Sequence, residues 1–361
     1  MKNFDFEEEF HSRDRKQDRK ERKLVQKGDR SKYKKTDFEP ESKTELESGC
    51  KRGRVIAISG EGSRVDCAGK QYLCSLKGFL KKEKTTAKNL IAVGDWVHFS
   101  ISSEHEGAIR QVEERTSFFA RTDISGRKEQ LIAVNVDQAV ITVSVVEPPL
   151  KPSLVDRYLI AAEKGNLHPL IAINKIDLLE TAPEEARELY RNFLAAYEPL
   201  GYPILSISTA TGVGVEAFRS LLQNKTSVFS GQSGVGKSSL LNACFGLTLK
   251  VGQLAKKTYK GTHTTSTAEL LPLPGGGYCV DTPGIRSFGI WNLQKMEVIS
   301  HFREFHPFCS SCKFPDCTHQ SEPECGVLAA LEEKKISLLR YESYMILLRE
   351  ALAGPDKTTW S

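Results

Sequence analysis

Four short stretches of this chain carry residue types suited to holding a nucleotide. Gly231-Gln232-Ser233-Gly234-Val235-Gly236-Lys237-Ser238 meets every fixed position of G-x-x-x-x-G-K-[ST]. Thr226 to Ser230 before it reads as a short strand, and Ser239 to Cys244 after it as the start of a helix. In that context the backbone N–H groups from Gly231 through Gly234, Val235, Gly236 and on to Ser239 turn inward around phosphate oxygens. The helix N-terminus adds its positive end. Lys237 is expected to reach the β- and γ-phosphates, where it supports catalysis, and Ser238 to hold Mg²⁺.

The base is read elsewhere. Asn174-Lys175-Ile176-Asp177 follows the apolar run Pro169 to Ile173, at the carboxyl end of a predicted buried strand. A carboxylate at Asp177 accepts from both N1–H and the 2-amino group of guanine. Adenine lacks that donor pair and would leave the carboxylate unpaired. A second strand, Pro203 to Ile207, ends at Ser208-Thr209, which suits contacts to the guanine oxygen. The predicted ligand is therefore GTP or GDP, with Mg²⁺.

Asp281 ends the strand Tyr278-Cys279-Val280 and is expected to bind Mg²⁺, while the Gly284 N–H is expected to contact the γ-phosphate. Between these motifs lies Lys260-Gly261-Thr262-His263-Thr264-Thr265. A switch threonine must close over the metal there; Thr264 and Thr265 both qualify. Ile285 follows Gly284, where many GTPases carry a glutamine that orients water. An isoleucine cannot polarise water, so slow intrinsic hydrolysis is expected, with His263 the nearest alternative catalytic group.

The order of these parts is unusual. The guanine-reading motifs precede the phosphate loop, as in a circular permutation with its start moved to the middle of an ordinary GTPase. The switch region then runs directly into a second chemical cluster. Cys312, Cys317, His319 and Cys325 provide three thiols and one imidazole within fourteen positions, a closed tetrahedral set for one zinc ion. Cys309 lies just outside it. Disulfides are disfavoured, since no signal peptide opens the chain and a GTP-consuming enzyme is expected in the cytoplasm. Cysteines 50, 67, 74, 244 and 279 are read as packing residues.

The remaining 361-residue chain must position these groups. No run of eighteen apolar residues exists, so no membrane span is expected. Net charge is +5 but unevenly placed: residues 11–35 hold twelve Lys/Arg against four Asp/Glu. Residues 1–50 are expected to be a disordered arm suited to polyphosphate contact. Residues 51–118 show about five short strands separated by turns, the pattern of an OB-type barrel. Lys77, Lys81, Lys82 and Lys84 beside Phe79 are the residue types such barrels use on RNA. Strand–helix alternation over 119–290 predicts a parallel α/β sheet, with helices at 153–164 and 183–199. Residues 291–361 are expected to form the zinc-binding region, closed by one helical segment over 327–352. The fold class is multidomain α/β.

Taken together, the motif order, the barrel and the metal spacing resemble one family, the small-ribosomal-subunit-dependent GTPases A. The resemblance rests on Gly231–Ser239, Gly261–Thr265, Asp281–Gly289, Cys312–His319 with Glu322–Cys325, and Arg340–Tyr344. It spans roughly residues 51–352. It implies GTP hydrolysis stimulated by the 30S subunit, binding to 16S rRNA, a part in late subunit maturation, and use of His263 in hydrolysis. A monomer is expected. Two other functions stand beside this one. A metal-handling GTPase would need an open or labile metal position, which a closed four-ligand set lacks. An RNA-binding module with a regulatory nucleotide site would not need Lys237, Ser238, Asp281 and Asp177 all intact.

Overall fold

The computed structural model describes residues 49–76, 90–122, 129–249, 268–281 and 295–353. Five strands open it: β1 (Lys51–Ile58), β2 (Ser63–Cys67), β3 (Lys70–Leu76), β4 (Trp96–Ile101) and β5 (Glu106–Val112). They pair in the cyclic order β1-β2-β3-β5-β4 and back to β1, with β3 and β5 parallel. This is a closed OB-type barrel. Alternate residues fill its interior: Tyr72 and Cys74, Val97 and Phe99, with Val55, Val65 and Ile109. Closure leaves no free edge among these strands.

A hairpin of β6 (Phe118–Thr122) and β7 (Glu129–Val134) follows, which the sequence analysis does not anticipate. The parallel sheet then begins. Its elements run β8 (Gln138–Ser144), α1 (Pro152–Lys164), β9 (His168–Asn174), α2 (Glu184–Tyr197), β10 (Ile204–Ser206), α3 (Val215–Leu222), β11 (Thr226–Ser230), α4 (Lys237–Phe245), β12 (Glu269–Pro272) and β13 (Tyr278–Asp281). The strand order is β10-β9-β8-β11-β13-β12; only β12 runs antiparallel. β8 and β11 are buried at every position, which explains their continuous apolar and β-branched runs. Successive residues serve opposite layers. Ile141, Val143, Ile171 and Ile173 pack with Val155, Tyr158 and Leu159 of α1 and Phe193 of α2. Val140, Leu170 and Ala172 pack with Phe218 of α3 and Leu240 and Leu241 of α4.

The phosphate-loop strand β11 sits in the middle of this sheet, between β8 and β13. A strand that comes fourth in chain order thus occupies the position from which its loop meets both the earlier base-reading strand ends and the later β13. That is the structural content of the permutation.

The last part comprises α5 (Lys295–His301), the short α6 (His306–Cys309), α7 (Gly326–Glu332) and α8 (Leu338–Ala353). The single helical segment expected over 327–352 is two helices. Residues 333–337 interrupt it, with Lys334 at φ 59°, a left-handed backbone that no helix continues through. Pro183 caps α2 rather than lying within it. None of the helices described is long and apolar enough to cross a membrane.

Barrel and parallel sheet are not separate layers. β1 also pairs with β12 at Ala57 and Glu269, so one sheet of eleven strands runs through both. Arg54 reinforces the junction. Its guanidinium is buried and donates to Thr226 Oγ1 at 2.8 Å and to the Asn135 carbonyl at 2.7 Å. It also lies over the rings of Trp96 and Tyr278. One residue of the barrel thus grips the starts of both β11 and β13.

Candidate functional site

The phosphate loop runs from the carboxyl end of β11 into the first turn of α4. Gly231, Gly234 and Gly236 all take positive φ, at 136°, 86° and 95°. At Gly236 a Cβ would sit 2.3 Å from Asn174 Nδ2, and at Gly231 2.0 Å from the Thr142 carbonyl. Both glycines are therefore required by left-handed backbone and close approach together. Val235 and Ser238 are buried, Lys237 and Ser239 half-buried. Lys237 Nζ donates to the carbonyls of Gly231 at 2.6 Å and Gln232 at 2.8 Å. Burial holds its ammonium down at about 8.

Asn174 ends β9, wholly buried, and its Nδ2 donates to the Val235 carbonyl at 2.9 Å. The end of β9 is thereby tied to the glycine-rich loop. Asn174 Oδ1 is buried with no donor among the described residues. Lys175 follows with φ 63°, and its ammonium donates to the Glu147 carbonyl. Asp177 accepts from Ser208 Oγ at 2.5 Å, and Ser208 Oγ accepts in turn from the Thr211 N–H at 3.2 Å. Thr209 is half-buried beside it. The Ile176 N–H donates to the Ile207 carbonyl at 3.2 Å, a second tie between the loops that follow β9 and β10. Residues 174–177, 208–209 and 231–239, from three stretches of sequence, thus stand at the carboxyl ends of β9, β10 and β11. In an open α/β sheet that edge is where ligands bind.

Asp281 ends β13, the neighbour of β11. His263, Thr264, Thr265, Gly284 and Ile285 lie outside the described residues, as do the basic loop around Phe79 and residues 1–48 of the arm. No sequence motif marks Tyr158. It projects from α1, buried, with its hydroxyl hydrogen-bonded to the backbone of Gly231, and burial pushes it up to about 12. Only its place on the apolar face of a helix next to the phosphate-loop strand could have signalled it.

A second site lies in the last part of the chain. The ligand atoms of Cys312, Cys317, His319 and Cys325 fall within 4.8 Å of one another. Zinc in tetrahedral coordination sets edges of about 3.8 Å between sulfurs and about 3.6 Å from sulfur to nitrogen. Here Cys312 Sγ and Cys325 Sγ are 3.8 Å apart, and His319 Nδ1 lies 3.6 Å and 3.4 Å from them. These three edges fit. Burial lowers the His319 pKa, leaving the neutral imidazole a ligand requires.

The surrounding loop is held from several sides. Tyr341 and Tyr344 of α8 donate to the carbonyls of His319 at 2.8 Å and Thr318 at 2.6 Å. Glu322 accepts from the N–H groups of Thr318 at 2.6 Å and Gln320 at 2.8 Å, and from the Thr318 hydroxyl. Burial opposes the charge on Glu322, but these bonds outweigh it and hold the carboxyl at about 2. α8 also anchors the region to the nucleotide-binding layer. Arg340 pairs with Asp156 of α1 and with Glu304 at 2.6 Å, and stacks on Tyr197 and Phe302. Asp156 is another residue the sequence left unmarked, because its partner is 184 positions away.

Comparison with known proteins places this geometry. The profile of the RsgA GTPase family matches residues 112–291. A protein of Chlorobaculum parvum named Small ribosomal subunit biogenesis GTPase RsgA is 41% identical over 304 residues, which cover 81% of this chain and 93% of that one. The crystal structure of YjeQ from Thermotoga maritima superposes with a TM-score of 0.68 at 33% identity, covering 84% of this chain and 99% of that one. YloQ, titled a circularly permuted GTPase, superposes with a TM-score of 0.65 at 26% identity, over 88% of this chain and all of YloQ.

Proposed function

The chain belongs to the RsgA GTPase family, and from that premise we propose that it hydrolyses GTP while bound to the 30S ribosomal subunit and leaves after hydrolysis. The observation that carries the reading is the meeting of the three loops at one sheet edge. Asn174 braces the phosphate loop, and Ser208 fixes the carboxylate of Asp177.

On this reading Asp177 reads guanine, with Ser208 and Thr209 beside the base. The backbone of 231–239 and Lys237 hold the phosphates. Magnesium bound with GTP neutralises charge on the transferring phosphoryl group. Ser238, Asp281 and either Thr264 or Thr265 are the residues to hold it. Gly284 senses the γ-phosphate, and His263 serves hydrolysis in place of the absent glutamine. Cys312, Cys317, His319 and Cys325 hold one zinc ion, whose role is structural because all four positions are taken by protein. Barrel, basic arm and zinc region contact 16S rRNA. The protein acts as a cytoplasmic monomer. The domain limits of 51–118, 119–290 and 291–361 follow the same division of labour.

The test is sedimentation with purified 30S subunits under GTP and GDP, combined with single-turnover hydrolysis with and without them. Co-sedimentation under GTP, release under GDP and a rate increase with subunits are expected. Neither binding nor stimulation would leave a GTPase with another partner. Within the same assay, Lys237→Ala abolishes turnover. His263→Ala spares nucleotide affinity and loses tenfold to thousandfold of the stimulated rate, about the range for one positioned catalytic group.

A further inference from the structure

Cys309 stands next to the four metal-ligating residues without belonging to them, and its position relative to His319 is specific. His319 is 3% exposed, and its ring lies between the Cys309 sulfur on one side and the sulfurs of Cys312 and Cys325 on the other. Its Nδ1 faces Cys312 and Cys325, at 3.6 and 3.4 Å. Its Nε2 faces Cys309 Sγ at 3.7 Å, within hydrogen-bond range for sulfur. The two nitrogens of an imidazole point in divergent directions. A sulfur on the Nε2 side therefore cannot also ligate a metal held on the Nδ1 side.

The chain builds this arrangement locally. Cys309 closes α6, and the Cys312 N–H donates to the Cys309 carbonyl at 3.2 Å. The turn sets the two cysteines three residues apart, one on each side of the ring. The ring itself has little freedom, since Tyr341 holds the His319 carbonyl and Phe305 packs edge-on to the imidazole with centroids 6.2 Å apart.

We propose that Cys309 is a positioning residue of the metal site: its sulfur accepts the Nε2–H of His319 and so fixes the tautomer that presents Nδ1 to the metal. Which nitrogen carries the proton is set by the partner of the other one. Metal-bound histidines are regularly oriented this way by an outer acceptor. The inference rests on the metal reading of the four ligands, and its test separates the two.

The test loads the full chain with zinc or with cobalt(II), whose thiolate charge-transfer absorbance scales with the number of bound sulfurs. Parent protein, Cys309→Ala, Cys309→Ser and, as a control, Cys325→Ser are compared. The parent binds one metal with the absorbance of three thiolates; a parent that binds none overturns the metal reading and this inference with it. Cys309→Ala keeps that absorbance but loses about tenfold to a hundredfold in zinc affinity against a competing chelator. Cys309→Ser regains most of it, because a hydroxyl also accepts. Unchanged affinity in Cys309→Ala, or a serine variant as weak as the alanine one, overturns the proposal. Lower cobalt–thiolate absorbance in Cys309→Ala also overturns it, by making Cys309 a ligand. Imidazole ¹⁵N shifts of the zinc-loaded parent give a check that needs no variant. They show a protonated Nε2 and a metal-bound Nδ1; the reverse assignment refutes the proposal.

Discussion

Asp177 and Lys237 show how surroundings would fit single groups for the roles proposed for them. The Asp177 carboxylate is held by Ser208, so its remaining acceptor capacity is aimed rather than free to rotate. Asp177→Asn replaces an acceptor that serves two donors by an amide that cannot. Preference for GTP over xanthosine triphosphate is expected to shrink or reverse in that variant, as read by competition binding. Retention of the parental preference would show that the base is read elsewhere. Lys237 makes a different prediction. Burial holds it near 8, and phosphate oxygens would draw that value back up. A group whose pKa rises on binding contributes its full stabilisation where it is already charged in the free protein, and loses it as pH rises above that free value. Nucleotide affinity is therefore flat below about pH 8 and falls as pH rises through it, with proton uptake on binding. Calorimetry at pH 8 in buffers of different ionisation enthalpy measures that uptake; none would place the phosphates away from Lys237.

At the level of elements, the loops between secondary structures are stiffened by a few polar side chains. Asn174 does this between β9 and the phosphate loop, and Glu322 does it in the metal loop. Glu322 has its folded-state pKa depressed to about 2. Its contribution is thus full above the ordinary glutamate range and is lost as pH falls through that value. Glu322→Gln leaves the Thr318 and Gln320 amides facing a weaker acceptor. We expect a loss of about 1–3 kcal/mol in local stability at neutral pH. Faster hydrogen exchange at Thr318, Gln320 and Ser321, whose N–H also donates to Glu322 at 3.1 Å, measures it, and unchanged exchange would assign the loop's rigidity to the tyrosines of α8 alone.

Across the described residues from 49 on, the barrel and the parallel sheet are joined by the pairing of β1 with β12 and locked by Arg54, while α8 is tied to α1 by the Arg340 group. Arg54→Leu removes two buried hydrogen bonds and two ring contacts, which reach from β1 to Thr226 of β11, Tyr278 of β13 and Trp96 of β4. It is expected to cost about 2–4 kcal/mol, because Thr226 and the Asn135 carbonyl lose a buried charged donor. A denaturant melt followed by Trp96 fluorescence and by nucleotide binding tests this. Both signals should shift together in the variant; a shift in the tryptophan signal alone would mean that the barrel moves independently of the sheet.

The sequence by itself determined the candidate motifs, the family they resemble and most of the local elements. G-x-x-x-x-G-K-S, N-K-x-D with the Ser208-Thr209 pair, and the Cys/His set are defined by residue type and short spacing, and the strands before them by short apolar or β-branched runs. Those features depend on contacts within a few residues, where side-chain chemistry and periodicity are sufficient. The break between α7 and α8 was hidden, since the apolar spacing carries across residues 333–337 while the left-handed backbone at Lys334 does not show in residue type. Tertiary structure alone decided the pairings over long separations: Arg54 with Thr226, Asn174 with Val235, Arg340 with Asp156, and β1 with β12. It also decided that Cys309 faces one nitrogen of His319 while Cys312 faces the other. A chain of residue types does not encode which distant partner fills a buried polar group's hydrogen bonds. That choice is made only when the sheet and helices pack and each desolvated group must find a partner within reach.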